Sequence, residues 1–101
     1  TVNGLEIAAT EGTPVLAIHE GTIAFAGTFA GFGNLVIVDH GAQNFSVYGH
    51  LLETAVSGGG RIERGQPLGT TGQSLSGQPG VYFELRIEGK PVDPLPWLKR
   101  R

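Results

Sequence analysis

The chain is 101 residues long, 40% hydrophobic and 16% charged, with a formal net charge of −2 and no cysteine. That length suits one domain with a real core, and that balance excludes a disordered chain or a long charged coiled coil. It also supplies no electrostatic pull toward nucleic-acid phosphates or anionic lipid, and the missing thiols exclude disulfides, thiolate zinc sites and a cysteine nucleophile.

No apolar run approaches the ~20 residues that cross a bilayer as a helix. The chain opens on Thr1 with no charged-then-apolar leader, which reads as one domain over 1–101 excised from a longer protein. Seventeen glycines and six prolines interrupt it too often for a sustained helical period. What remains are short β-branched or aromatic runs: "LEIAA" (5–9), "PVLAI" (14–18), "TIAFAGTF" (22–29), "NLVIVDH" (34–40), "FSVYGHL" (45–51), "PLGTTG" (67–72) and "VYFELRI" (81–87). Turn residues separate nearly all of them, so the expected fold is all-β, with stacked or partly closed antiparallel sheets. The end, "GKPVDPLPWLKRR", turns at Gly89; its prolines close the sheet, Trp97 plugs the core, and Lys99, Arg100 and Arg101 make a locally basic tail.

Two of these runs carry side-chain patterns worth following. A turn at 41–44 would set residue 40 opposite 45 and residue 50 opposite 35. Leu35, Ile37, Tyr48 and His50 would then share one face, and Val36, Val38, Phe45 and Val47 the other, oilier one. The first face, with Phe32 on the Gly-flanked loop "GFGN" (31–34), looks like a binding groove. In "GQPGVYFELR" (77–86), Phe83 and Leu85 point inward while Tyr82, Glu84 and Arg86 point outward. Tyr and Arg are frequent interface anchors.

A catalytic zinc takes about three protein ligands and leaves one position open. Only three histidines are present. His19 lies in a solvated turn and His40 beside Gly41 reads as a turn residue bonded to backbone. His40 and His50 stand about five strand positions apart, about 16 Å at ~3.3 Å per residue, too far to share an ion. Ser46, His50 and Asp39 could be imagined as a triad, but no G-x-S-x-G nucleophile turn is present.

Taken in order, "GLEIAATEGTPVLAIHEGTIAFAG", "GFGNLVIVDHG", "VYGHL", "GQPLGTTGQS", "YFELR" and "GKPVDPLPWL" resemble the LytM/lysostaphin-type zinc metallopeptidase domain, which cuts peptide cross-bridges in peptidoglycan. The resemblance covers nearly the whole chain and implies a β-sandwich with a central groove. It also implies zinc ligands at an early His and Asp and at the second His of a late His-x-His, with a further His in Tyr-x-His. By position these become Val2, Glu6 and Tyr82, with Gly80 at the first late His; only His50, in "YGH", keeps the family's residue. An apolar side chain and a neutral phenol leave Glu6 as the one remaining carboxylate.

Loss of the metal residues on an intact scaffold is similar to the degenerate LytM domains of EnvC-type murein hydrolase activators. That resemblance implies a non-enzyme with no cofactor, in the periplasm or elsewhere outside the cytoplasm, whose partner is a zinc-dependent N-acetylmuramoyl-L-alanine amidase, with peptidoglycan as a second ligand. Membrane association would come only through upstream regions. The groove residues expected to meet the partner are Tyr82, Arg86, Tyr48, Leu35, Phe32 and His50, with Asn3 and Glu84 at the rim. Competing readings are a metal-free wall-binding module, with Tyr48, Tyr82 and Phe32 stacked on sugars, and an active peptidase with unusual ligands. A lipoyl-type carrier needs a lysine at a hairpin tip, and the two lysines, Lys90 and Lys99, lie near the C-terminal end.

Overall fold

The computed structural model describes residues 4–94, and the glycine-punctuated runs become nine strands. They are β1 (Gly4–Ala8), β2 (Pro14–Leu16), β3 (Gly21–Phe29), β4 (Gly33–Gly41), β5 (Asn44–Thr54), β6 (Arg61–Ile62), β7 (Pro67–Gln73), β8 (Pro79–Ile87) and β9 (Lys90–Val92). Among the described residues no helix is long and apolar enough to cross a membrane. Every pairing is antiparallel, and the all-β expectation holds.

The strands form one continuous sheet in the order β1-β8-β7-β5-β4-β3-β6, with β2 on β7 and β9 on β8. The sheet curls onto itself because β5 changes partners. Its first half, Phe45 to Gly49, pairs with β8, and its second half, Leu51 to Thr54, pairs with β7. Inside the curl lie Ile23, Val36, Val38, Tyr48, Leu51, Ile62, Leu68, Phe83 and Leu85. Strands β6 and β9, two and three residues long, are too short to carry a period. Ile62 is nonetheless fully buried, worth about 1.5–3 kcal/mol of hydrophobic transfer; that, more than its own ladder, holds β6 against β3. Trp97, Val2 and Asn3 lie outside the described residues.

The β4–β5 hairpin departs from the expected register. Its turn is the two-residue Ala42-Gln43, both at positive φ (54° and 64°), not a four-residue loop. His40 is then left over as a bulge: Asp39 faces Phe45 and Gly41 faces Asn44. A second irregularity separates Asn34, opposite Leu51, from Val36, opposite Tyr48. The face assignment is therefore corrected. Tyr48 and Ser46 join Val36 and Val38 in the core, while Phe45 and Val47 lie on the other face, opposite Arg86 and Glu84 of β8.

Two side-chain-bearing residues at positive φ store strain that Asn-Gly, the preferred pair for such a turn, relieves. The Ala42→Asn/Gln43→Gly variant is expected to gain about 1 kcal/mol. A thermal melt checks this; an unchanged or lowered midpoint would show that the turn is not strained.

Candidate functional site

Period-2 alternation along β8 builds the site. Phe83 and Leu85 are core, and Tyr82, Glu84 and Arg86 stand on the opposite face. Glu84 is only 7% exposed, and a buried carboxylate is costly unless it is partnered. Two donors meet it: the Tyr82 hydroxyl donates to Oε1 at 2.8 Å, and Arg86 Nε donates to Oε2. The Tyr82 ring can lie down along β1 because position 4 is glycine. A Cβ on Gly4 would stand 2.3 Å from the phenol oxygen.

His50 sits where β5 leaves β8 for β7, at φ +59°, a conformation uncommon for a residue with a side chain. Its N–H donates across to the Phe32 carbonyl at 2.7 Å instead of continuing a ladder. The kink lets Tyr48 and Leu51 both face the core while His50 faces the groove side, buried at 8% exposure. There the rings of Phe32, Tyr82 and His50 gather, with centroids 5.2 Å apart for Phe32 and Tyr82, 6.0 Å for Phe32 and His50, and 6.2 Å for His50 and Tyr82. Leu35 is the floor beneath them, buried and within packing distance of any side chain at Gly49.

Beside this cluster is a cleft of about 350 Å³. Glu6, Gly31 and His50 form one side, and the β7–β8 turn, through Ser74, Leu75, Ser76 and Gln78, forms the other. Glu6 Oε2 stands 3.6 Å from His50 Nε2, beyond hydrogen-bond distance. The turn is braced by its own bonds: Ser74 N–H donates to the Gln78 carbonyl at 2.9 Å, and Gln78 N–H to Ser74 Oγ at 3.2 Å.

Of the residues expected at the groove, the structure brings together Tyr82, Phe32, His50 and Glu6, with Leu35 beneath and Glu84 and Arg86 continuing along β8. Tyr48 is not among them. Its hydroxyl oxygen accepts from Ile18 N–H at 3.2 Å and from the Ser46 hydroxyl at 2.7 Å inside the core, where burial raises the phenol's pKa. Ser46 in turn meets His40 Nε2 at 2.8 Å, and His40 Nδ1 lies 2.7 Å from the Glu20 carbonyl. That carbonyl belongs to another strand connection, not to the nearby backbone expected for His40. Sequence reading missed the 74–78 turn, whose signal was Leu75, an apolar residue set among Ser, Gly and Pro with no strand to bury it.

Residues 1–94 match the family described as Peptidase family M23. The chain belongs to peptidase family M23. This M23 domain is 42% identical over 98 residues to the murein hydrolase activator EnvC of Escherichia coli K12, covering 96% of the chain and 23% of that protein. It is 40% identical over 99 residues to a lipoprotein NlpD/LppB homolog of Pseudomonas aeruginosa, covering 97% of the chain and 33% of that protein. The chain thus spans a third or less of the length of these relatives. The catalytic domain of lysostaphin from Staphylococcus simulans superposes with a TM-score of 0.87 at 28% identity, over 98% of this chain and 80% of that one.

An M23 fold implies zinc, so the donors present must be tested against it. Burial first, then the Glu84 hydrogen bond and charge, push the Tyr82 phenol up to about 12, which keeps it neutral and bound to Glu84. Among the described residues no three His, Asp or Glu side chains gather as a metal-holding group. Among the described residues, Glu6, His50 and a neutral Tyr82 do not make a three-ligand set for the ion.

The raised phenol has a measurable consequence. The unfolded chain releases this proton near 10.0, the folded one near 12, so the folded state binds more protons in between and stability falls as pH rises through that window. In an ultraviolet titration of phenolate absorbance, Tyr82→Phe should remove one of the two late transitions expected from Tyr48 and Tyr82. A Tyr82 that ionises near the ordinary tyrosine value would mean its bond to Glu84 does not persist.

Proposed function

We propose that this M23 domain cuts no peptidoglycan and instead binds and switches on a separate zinc-dependent N-acetylmuramoyl-L-alanine amidase that splits the wall between dividing cells, outside the cytoplasm. The observation that carries this reading is the Tyr82–Glu84–Arg86 chain. At the position where the resemblance implies a zinc ligand, a phenol is tied to a buried carboxylate, which is itself tied to an arginine. Such a chain supplies no metal-bound hydroxide, but it presents a rigid Tyr and a half-exposed Arg beside exposed and half-buried aromatic rings, the composition of an interface anchor. The likeness to a protein named as a murein hydrolase activator supports the same reading.

Activation requires that the domain bind the active form of the amidase more tightly than the idle form; each tenfold shift takes about 1.4 kcal/mol of differential affinity. The test is dye release from labelled peptidoglycan by the domain alone, the amidase alone and the mixture. Release by the mixture well above the amidase alone supports activation. Chelator-sensitive release by the domain alone overturns it in favour of a peptidase, and a mixture no faster than the amidase alone overturns it too.

A further inference from the structure

We propose, resting on the activator reading, that the cleft between Glu6 and the β7–β8 turn receives a Lys or Arg side chain of the partner protein, flanked by an apolar residue that seats on Leu75. Three observations converge. The Glu6 carboxylate is 59% exposed, no hydrogen bond reaches it among the described residues, and His50 Nε2 stands 3.6 Å away. Apart from His50, the other residues lining the cleft, Gly31, Ser74, Leu75, Ser76 and Gln78, carry no charge. The two charges farther along β8, Glu84 and Arg86, satisfy each other, and Glu11 accepts from Gln73. The cleft therefore shows a visitor one exposed carboxylate, beside the His50 ring, that accepts no hydrogen bond among the described residues, which favours a cationic donor.

Leu75 is 84% exposed on a turn whose own hydrogen bonds hold it away from the core. On the other side of His50 the aromatic row continues through Phe32 to Phe29, itself 51% exposed. Apolar side chains held on both flanks of an acidic cleft suit an apolar contact beside the cation.

The cleft opens to solvent between Glu6 and the β7–β8 turn. The partner segment lies across the mouth and inserts side-chain ends, with the long stem of Lys or Arg reaching Glu6.

The experiment measures binding of the purified amidase, and separately of peptidoglycan sacculi, to the wild-type domain, Glu6→Gln, Glu6→Lys and Leu75→Ser, over a series of salt concentrations. Both sites are exposed, and far-ultraviolet circular dichroism confirms folding. The expected result is about tenfold weaker amidase binding for Glu6→Gln and Leu75→Ser, a further loss for Glu6→Lys, and a flatter salt dependence for both Glu6 variants but not for Leu75→Ser. Wild-type amidase binding that all three variants retain unchanged overturns this proposal and leaves the activator reading standing. Loss of sacculus binding alone overturns it in favour of a peptidoglycan amine at Glu6. No amidase binding by the wild type overturns both.

Discussion

Gly80→His is expected to destabilise the domain by about 2–6 kcal/mol, a large share of the ~5–15 kcal/mol that holds a domain of this size together. Position 80 is squeezed between two backbones, paired with Ala8 of β1 on one side and Gly72 of β7 on the other. A Cβ there would stand 2.2 Å from the Ile7 carbonyl oxygen and 3.0 Å from its carbon, and the residue sits at φ +154°. Both obstacles are backbone, so no rotamer change relieves them. The strain of the conformation and the overlap each contribute about 1–3 kcal/mol. Urea unfolding measures the loss, and a wild-type midpoint would refute it. The consequence reaches function: placing imidazoles at 80 and 82 together should yield a less stable protein that zinc does not rescue, because β1 occupies the space that a side chain at position 80 would need.

Tyr82→Ala is expected to weaken partner binding by about 1–3 kcal/mol, roughly 5–150-fold in Kd, while the domain remains folded. The ring is half-exposed and lies outside the core cluster, so its removal opens no interior cavity. It does strip one donor from the buried Glu84, leaving the Arg86 Nε bond, at a cost of about 1–3 kcal/mol in stability. Tyr82→Phe separates the two roles. It loses the same hydrogen bond but keeps the ring against Phe32, His50 and Gly4. Calorimetric binding to the amidase should therefore rank wild type close to Phe and well above Ala. Equal loss in both variants would assign the effect to the hydroxyl, and an unfolded Tyr82→Ala would make this residue structural.

The sequence by itself determined the all-β class, most of its strands, and the sidedness of β8. In "VYFELRI" nothing interrupts the period of two, so Phe83 and Leu85 go inward and Tyr82, Glu84 and Arg86 outward wherever the strand is placed. It also determined which side chains stand where the resemblance implies metal ligands, because chemistry at a position needs no coordinates. Tertiary structure decided what alternation cannot carry. Tyr48 and His50 are two residues apart and share a face in any regular strand, yet β5 pairs with β8 before this point and with β7 after it, and the Phe32 carbonyl takes the His50 N–H at the changeover. The resulting kink sends Tyr48 to the core and His50 to the cleft. The Ala42-Gln43 turn lacks the Asn-Gly signature that would have revealed its length, and the bulge at His40 follows from it. Nothing local marks Glu84 as buried or Leu75 as exposed; both follow from which strands and turns meet across the curled sheet, a long-range outcome that a short-range pattern does not contain.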